Sequence, residues 1–476
     1  MEEPRRVIRN ACVVSMDPSL GTLDRADILI EGERIRDIAP NLAVDDCEVI
    51  DGNGMIAIPG LVDTHRHPWM TQLRNAGADW TLFGYTAGVL MGYRTYFRPE
   101  DVRIATCAGA LEALDGGVTT MVAYSDCMLT PDHADEMIGA LEESGARAIF
   151  CYGMLGNGSV APDGALDLTG AIPSPEWHFD DVRRVRESRL SSDDALVTFG
   201  LALNEVEMLP LEFGRREIEL GREVGAARIS CHVAMGALHQ SVRYVNQLAE
   251  ADLLGPDLLF AHGNGLTREE LERIAGAGAA IAVTPESELA TGCGYPVTGR
   301  AMECGAQVSL GVDAVLASRG DLFTQMRLAL QTERGLRHHA LEQQGVAPRE
   351  ARPSPREILE LATLEGARAA GLDSKVGSLT PGKQADIALI RTDHVSLRPV
   401  RNPLDAVVLQ ANAGDVDSVL VAGRPVKRGG QLVDVDLPAL LRRLDDSLAH
   451  LDAETRDLDW GLSQELAASL FPLEPA

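Results

Sequence analysis

The chain has 476 residues, 45% of them hydrophobic and 24% charged, with a formal net charge of −28. Its length allows roughly two to four domains and a core large enough for an enzyme. The acidic excess argues against nucleic acid as a partner, since a phosphate backbone selects clustered Lys and Arg, and no apolar run reaches the roughly 18 residues that span a bilayer.

The start, Met1-Glu2-Glu3-Pro4-Arg5-Arg6, is acidic with no apolar stretch behind it, which predicts a cytoplasmic protein without a secretory signal. Eight Cys, at positions 12, 47, 107, 127, 151, 231, 293 and 304, form no C-x-x-C pair and are expected to be reduced thiols.

Up to residue 57 the texture is one of short strands and turns, at 7–15, 27–31, 34–38, 48–51 and 55–58. From residue 58, short apolar runs alternate with amphipathic helices, the pattern of repeated βα units on a parallel sheet. Eight runs qualify: 58–64, 118–124, 146–152, 196–203, 228–233, 257–261, 279–284 and 307–312. The helices between them are well punctuated. One spans 99–115, with Pro99 at its start and Gly116-Gly117 after its end; another spans 267–277, with Thr267 as cap and Glu270 three residues on. Long connections, 68–98 and 153–180, follow the first and third runs, where barrel enzymes wall their pockets. After a helix expected over 355–371, strands return at 386–390, 406–410, 418–421, 424–427 and 431–433. The expected architecture is α/β. A (β/α)8 TIM barrel covers 58–372, a small β-sandwich domain is built from both flanks (1–57 and 373–434), and 435–476 is a helical extension ending in Leu470-Phe471-Pro472.

Chemistry centres on Pro59-Gly60-Leu61-Val62-Asp63-Thr64-His65-Arg66-His67-Pro68. Alternate side chains of a strand share a face, so His65 and His67 point the same way and can converge on one cation. Further metal-capable residues stand at the ends of other runs: His232 after the fifth, His262 after the sixth and Asp313 after the eighth. Barrel enzymes place their catalytic groups at these ends.

With these motifs in hand, the chain resembles the amidohydrolase superfamily, in its branch of cytosine deaminase-like, S-adenosylhomocysteine deaminase-like and triazine hydrolase-like enzymes. The matching stretches are Pro-Gly-Leu-Val-Asp-Thr-His-Arg-His, Gly-Gly-Val-Thr-Thr at 116–120, His262-Gly-Asn-Gly-Leu-Thr, Leu310-Gly-Val-Asp313 and the segment from Gly377 to Ala388. The resemblance implies one divalent metal per subunit, zinc first with iron or manganese as alternatives, held by His65, His67, His232 and Asp313. It implies Asp313 as the acceptor of the water proton and His262 as the residue that orients the water or polarises the bond under attack.

The chain departs from the family where a Glu normally shuttles protons: three residues after His232 stands Met235. Glu205, Glu286 and Glu288 are the candidate replacements. Trp69, Trp80, Phe83 and Tyr93 could stack on a flat substrate, and Arg74 could hold a carboxylate or carbonyl. The expected function is hydrolysis of a small planar nitrogen compound at a carbon–nitrogen bond, as in deamination. The alternatives are displacement of a non-amine leaving group, opening of a cyclic amide or imide, and a non-catalytic scaffold. The expected partner is a small molecule, with no nucleic acid or membrane, in a homodimer or higher homo-oligomer.

Overall fold

Runs of Val, Ile, Leu and Ala can be buried on both faces only where helices cover a parallel sheet, and eight such runs form the central sheet. The computed structural model describes residues 4–160, 166–167, 170–236 and 242–458. The barrel strands are β1 (Leu61–Arg66), β2 (Val118–Ser125), β3 (Arg147–Gly153), β4 (Val197–Ala202), β5 (Ile229–Val233), β6 (Leu258–His262), β7 (Ala280–Val283) and β8 (Gln307–Leu310). They pair in chain order, all in parallel.

The ring closes just beyond β8, where Asp313 bridges Arg66 in parallel. Asp313 N–H donates to the His65 carbonyl at 2.8 Å and His67 N–H to the Asp313 carbonyl at 3.2 Å. A bare backbone permits this approach. A Cβ on Gly311 would stand 2.8 Å from both the N and the O of His65. Asp63 ties the same seam from below, its carboxylate accepting from Val312 N–H at 3.1 Å and from Arg66 at 3.1 Å.

Both flanks contribute to a separate nine-stranded mixed sheet. Its N-terminal members are Arg5–Val14, Thr22–Glu31, Arg34–Ala39, Glu48–Asp51 and Met55–Pro59, and its C-terminal members Ile387–Arg391, Val416–Val421, Arg424–Arg428 and Gln431–Leu432. The halves join where Met55–Pro59 runs antiparallel to Ile387–Arg391. The sheet folds back on itself about Ile8, Ile28, Ile30, Ile35, Leu389 and Leu420, with Ile35 N–H donating to the Lys383 carbonyl at 2.9 Å. A buried Arg147–Asp386 pair at 2.9 Å fastens this sheet to β3.

Three expectations need correction. Ile58 does not begin the first barrel strand, since it lies in the outer-sheet strand Met55–Pro59 and β1 starts at Leu61. The apolar run expected as a strand at 406–410 falls in a helix, Pro403–Leu409, because Pro403 sits in its first turn and the Asn402 side chain caps the N–H groups of Leu404 and Asp405. The helix expected over 355–371 is two, Pro355–Leu361 and Leu364–Ala369, broken where Thr363 leaves helical geometry and its hydroxyl bonds the Leu359 carbonyl. Of the C-terminal extension, helix Leu437–Glu454 packs on helix Pro99–Asp115, with Ser447 donating to Asp101 at 2.6 Å. Residues 459–476, including Leu470-Phe471-Pro472, lie outside the described residues. All eight Cys are unbridged, and no described helix is long and apolar enough to cross a membrane.

Gly311→Ala is expected to destabilise the protein by about 2 kcal/mol or more, because the added methyl must separate β1 from the closing segment. Chemical denaturation measures this, and an unchanged midpoint would show that the seam yields freely.

Candidate active site

Each candidate ligand sits at the carboxyl end of a barrel strand. His65 is in β1 and His67 just past it, His232 is in β5, His262 ends β6, and Asp313 follows β8. His262 and Asp313 hold φ of 72° and 69°, a left-handed conformation costing of order 1 kcal/mol or more for a side-chain-bearing residue. Such strain persists only where surrounding bonds impose it, and at Asp313 the closing backbone pair does so.

Four imidazoles crowd the barrel mouth. Ring centroids lie 4.9 Å apart for His65–His67, 5.1 Å for His65–His232, 5.3 Å for His65–His262 and 5.4 Å for His232–His262. Asp313 Oδ1 lies 3.5 Å from His65 Nε2 and 3.4 Å from His67 Nε2. Two ligands bonded at about 2.1 Å to one tetrahedral ion stand about 3.4 Å apart, so the spacing suits a shared cation better than a direct hydrogen bond. Both ring nitrogens of His65 are buried without a hydrogen-bond partner, which a bound ion would relieve. The ligand atoms form two groups that share this residue, His65 with His67 and Asp313, and His65 with His232 and His262, each within 4.8 Å.

Electrostatics favour the same reading. Burial drives His65 down to about 3, keeping it neutral as a metal ligand must be. Burial alone would raise Asp313, but the His65 contact and the imidazoles of His262, His65 and His67 outweigh it and hold the carboxyl well below its usual range. Burial likewise opposes charge on His262, yet Glu288, with Asp313, carries it above its ordinary value.

Carboxylates behind the imidazoles set their tautomers. His67 Nδ1 meets Asp126 Oδ1 at 3.0 Å, and Trp69 Nε1 donates to the same oxygen at 2.6 Å. His232 Nδ1 meets Glu205 Oε1 at 3.2 Å. His262 Nδ1 bonds Thr284 Oγ1 at 3.0 Å, which in turn donates to Glu288 Oε1 at 3.2 Å. A carboxylate only accepts, so the Nδ1 atoms of His67 and His232 carry the protons and their Nε2 lone pairs remain for a cation. Ser287 donates a short hydrogen bond to Asp313 Oδ2.

The sequence profile described as Amidohydrolase family matches residues 226–426. A 5-methylthioadenosine/S-adenosylhomocysteine deaminase of Pyrococcus abyssi is 28% identical over 424 residues, 87% of this chain and 92% of that protein. A 5'-deoxyadenosine deaminase of Methanothermobacter thermautotrophicus is 29% identical over 87% of this chain and 91% of its own length. Among solved structures, an adenosine deaminase from Xanthomonas campestris with bound zinc superposes with TM-score 0.80 at 22% identity, covering 95% of this chain and 99% of the other. Atrazine chlorohydrolase of Arthrobacter aurescens, complexed with zinc, gives 0.81 at 23% identity, covering 93% and 100%. These structural likenesses show the shared fold. The chain is similar to amidohydrolases along most of its length.

The rim opens into a cavity of about 1150 Å³, counting its mouth, and Met235 lines it. Of the candidate replacements, only Glu205 reaches the cavity, and it is engaged with His232. Glu286 is turned away, accepting from Arg319 N–H and from Gln325. Glu288 is fully buried behind His262. Arg74 pairs with Glu112 at 3.0 Å rather than facing a substrate. Of the four expected aromatics, Trp80 lines the cavity, Trp69 is buried against Asp126 and Phe97, and Phe83 and Tyr93 are absent from the lining, to which the loop adds Tyr85. Sequence reading passed over Asp126, Thr284, Ser287 and Asn204. Only Asp126, a carboxylate just past the second strand, carried a signal that strand-end logic could have used.

Glu205 is itself held from behind. Its N–H donates to Asn204 Oδ1 at 2.7 Å, and Asn204 N–H donates to the buried Glu217 at 2.9 Å. Burial raises Glu217 to about 7, although Ser174 and Asn204 bond it. The unfolded carboxyl titrates near about 4.3, so wild-type stability falls as pH rises from there to about 7 and levels off above. In metal-free protein, Glu217→Gln should therefore gain on wild type by about 2 kcal/mol between about pH 5 and pH 8 in urea unfolding. A constant difference would mean that Glu217 titrates normally. Asp126→Ala should weaken zinc about 10- to 100-fold in a chelator competition, and an unchanged affinity would reduce Asp126 to a packing role.

Proposed function

We propose that the protein is a metal-dependent hydrolase of a small planar nitrogen-containing compound, cleaving a carbon–nitrogen bond as in deamination. The observation that carries this is the convergence of His65, His67, His232, His262 and Asp313 at the mouth of an otherwise largely apolar cavity. His65, His67, His232 and Asp313 would hold one divalent ion, with zinc the first choice because imidazole nitrogens and a carboxylate suit it. Bound there, the ion would supply the Lewis acidity that makes water a nucleophile precursor near neutral pH.

The chain's own residues account for the rest. Asp313, ionised and held by Ser287, accepts the proton that water loses as its oxygen adds to the ring carbon. His262, fixed through Thr284 and Glu288, presents its second nitrogen to the attacked centre. The proton then travels to the leaving group, so that an amine departs as ammonia and the ring keeps the oxygen. Met235 favours a second reading at this step. With no carboxylic acid at that position, a leaving group that departs without protonation is better served than an amine.

A screen of aminopurines, pyrimidines, triazines and cyclic imides with metal-loaded protein, following ammonia and ultraviolet absorbance together, separates the two. Asp313→Asn should cut turnover by roughly 10² to 10⁴, His262→Asn should slow it with metal retained, and Met235→Glu should raise ammonia release. Turnover indifferent both to a chelator and to Asp313→Asn would end the proposal.

A further inference from the structure

The indole of Trp80 is clasped by three glycines. A Cβ on Gly77, Gly84 or Gly88 would stand 3.1, 2.9 or 2.4 Å from its atoms, so each position is bare where a side chain would displace the ring. The half-buried indole is thus a fixed platform, and it lines the active-site cavity. Around it the wall is apolar, with Leu82, Leu90, Met91, Ile172, Met208 and Leu316.

The polar groups in the described lining are nearly all spent inside the protein. Thr86 donates to the Leu82 carbonyl at 2.9 Å, Thr291 to the Ser287 carbonyl at 2.8 Å and Ser318 to the Ala314 carbonyl at 2.5 Å, while Ser287 is bound to Asp313. Arg94 gives three bonds to the carbonyls of Asp126, Gly156 and Leu155, at 2.7–2.8 Å. Glu205 serves His232. Among the described residues, Trp80 Nε1–H makes no hydrogen bond, and the Tyr85 hydroxyl meets only the Met70 sulfur at 4.0 Å, a weak acceptor. Burial and the carboxylates of Asp126, Asp313 and Glu205 keep its phenol protonated, hence a donor.

We propose that the cavity takes a flat heteroaromatic ring bearing apolar substituents, seated on Trp80 and given one hydrogen bond by the Tyr85 hydroxyl, and disfavours a ring bearing a hydroxylated sugar. Each sugar hydroxyl would leave water for a described wall that is mostly apolar and keeps few uncommitted donors, and an unpaired buried hydroxyl is costly. A substituent of hydrocarbon gains where the sugar loses. The inference deepens the proposed reaction and rests on it only for what happens to the ring after binding.

The test is calorimetric binding of 9-cyclopentyladenine and adenosine to the zinc-loaded full chain. The two share the aminopurine, the leaving amine and a five-membered substituent ring. The cyclopentyl compound is expected to bind at least tenfold more tightly. Trp80→Ala should lose at least tenfold of that affinity while Trp80→Phe keeps it within about threefold, and Tyr85→Phe should weaken both compounds severalfold. Adenosine binding as well or better, or neither compound binding at millimolar concentration, overturns the inference. Should Trp80→Ala fail to fold, the wild-type pair decides alone. Preference for the cyclopentyl compound without ammonia release keeps this inference and sinks the reaction proposed above. Faster ammonia release from adenosine does the reverse.

Discussion

The chemistry at this barrel mouth depends on one parallel backbone pairing, the seam where the segment after β8 lies against the end of β1. Two hydrogen bonds between residues 65–67 and Asp313 join chain positions some 250 residues apart, and they are the bonds that set the Asp313 carboxylate beside the His65 and His67 rings. Closing the barrel and assembling the site are therefore one event. The left-handed backbone of Asp313 and the bare Gly311 both follow from that closeness.

Around the seam, four carboxylates act as orienting groups. Asp63 joins the two ends of the sheet, Asp126 turns His67, Glu205 turns His232, and Glu288 acts on His262 through Thr284. Each satisfies a buried donor, as the low-dielectric interior demands. Met235 stands at the wall, and of the candidate acids only Glu205 reaches the cavity, where it is engaged with His232. The described lining is largely apolar, which is why the indole of Trp80 and the hydroxyl of Tyr85 carry the proposed preference.

Much of the fold was legible in the sequence because both periodicities are local. The eight parallel runs, their strand ends and the strand texture of both flanks can be read from apolar patterning and from Gly and Pro punctuation. Reading failed where a cap outweighed composition, as with Asn402 and Pro403 ahead of a Val-rich run, and where a local side-chain-to-backbone bond accompanies a helix break at Thr363. The loop after β1 misled for a related reason. Trp69 and Arg74 carry suitable groups, but a side chain's direction out of an irregular loop depends on partners such as Asp126 and Glu112.

By itself the sequence determined the identities and strand-end positions of His65, His67, His232, His262 and Asp313, because a residue's place relative to the end of a strand follows from its neighbours in the chain. Only the tertiary structure decided which carboxylate stands behind which imidazole, that Glu286 faces away while Glu205 does not, and that Trp80 rather than Trp69 meets the cavity. Those outcomes rest on distances between residues far apart in the chain, and packing alone sets such distances.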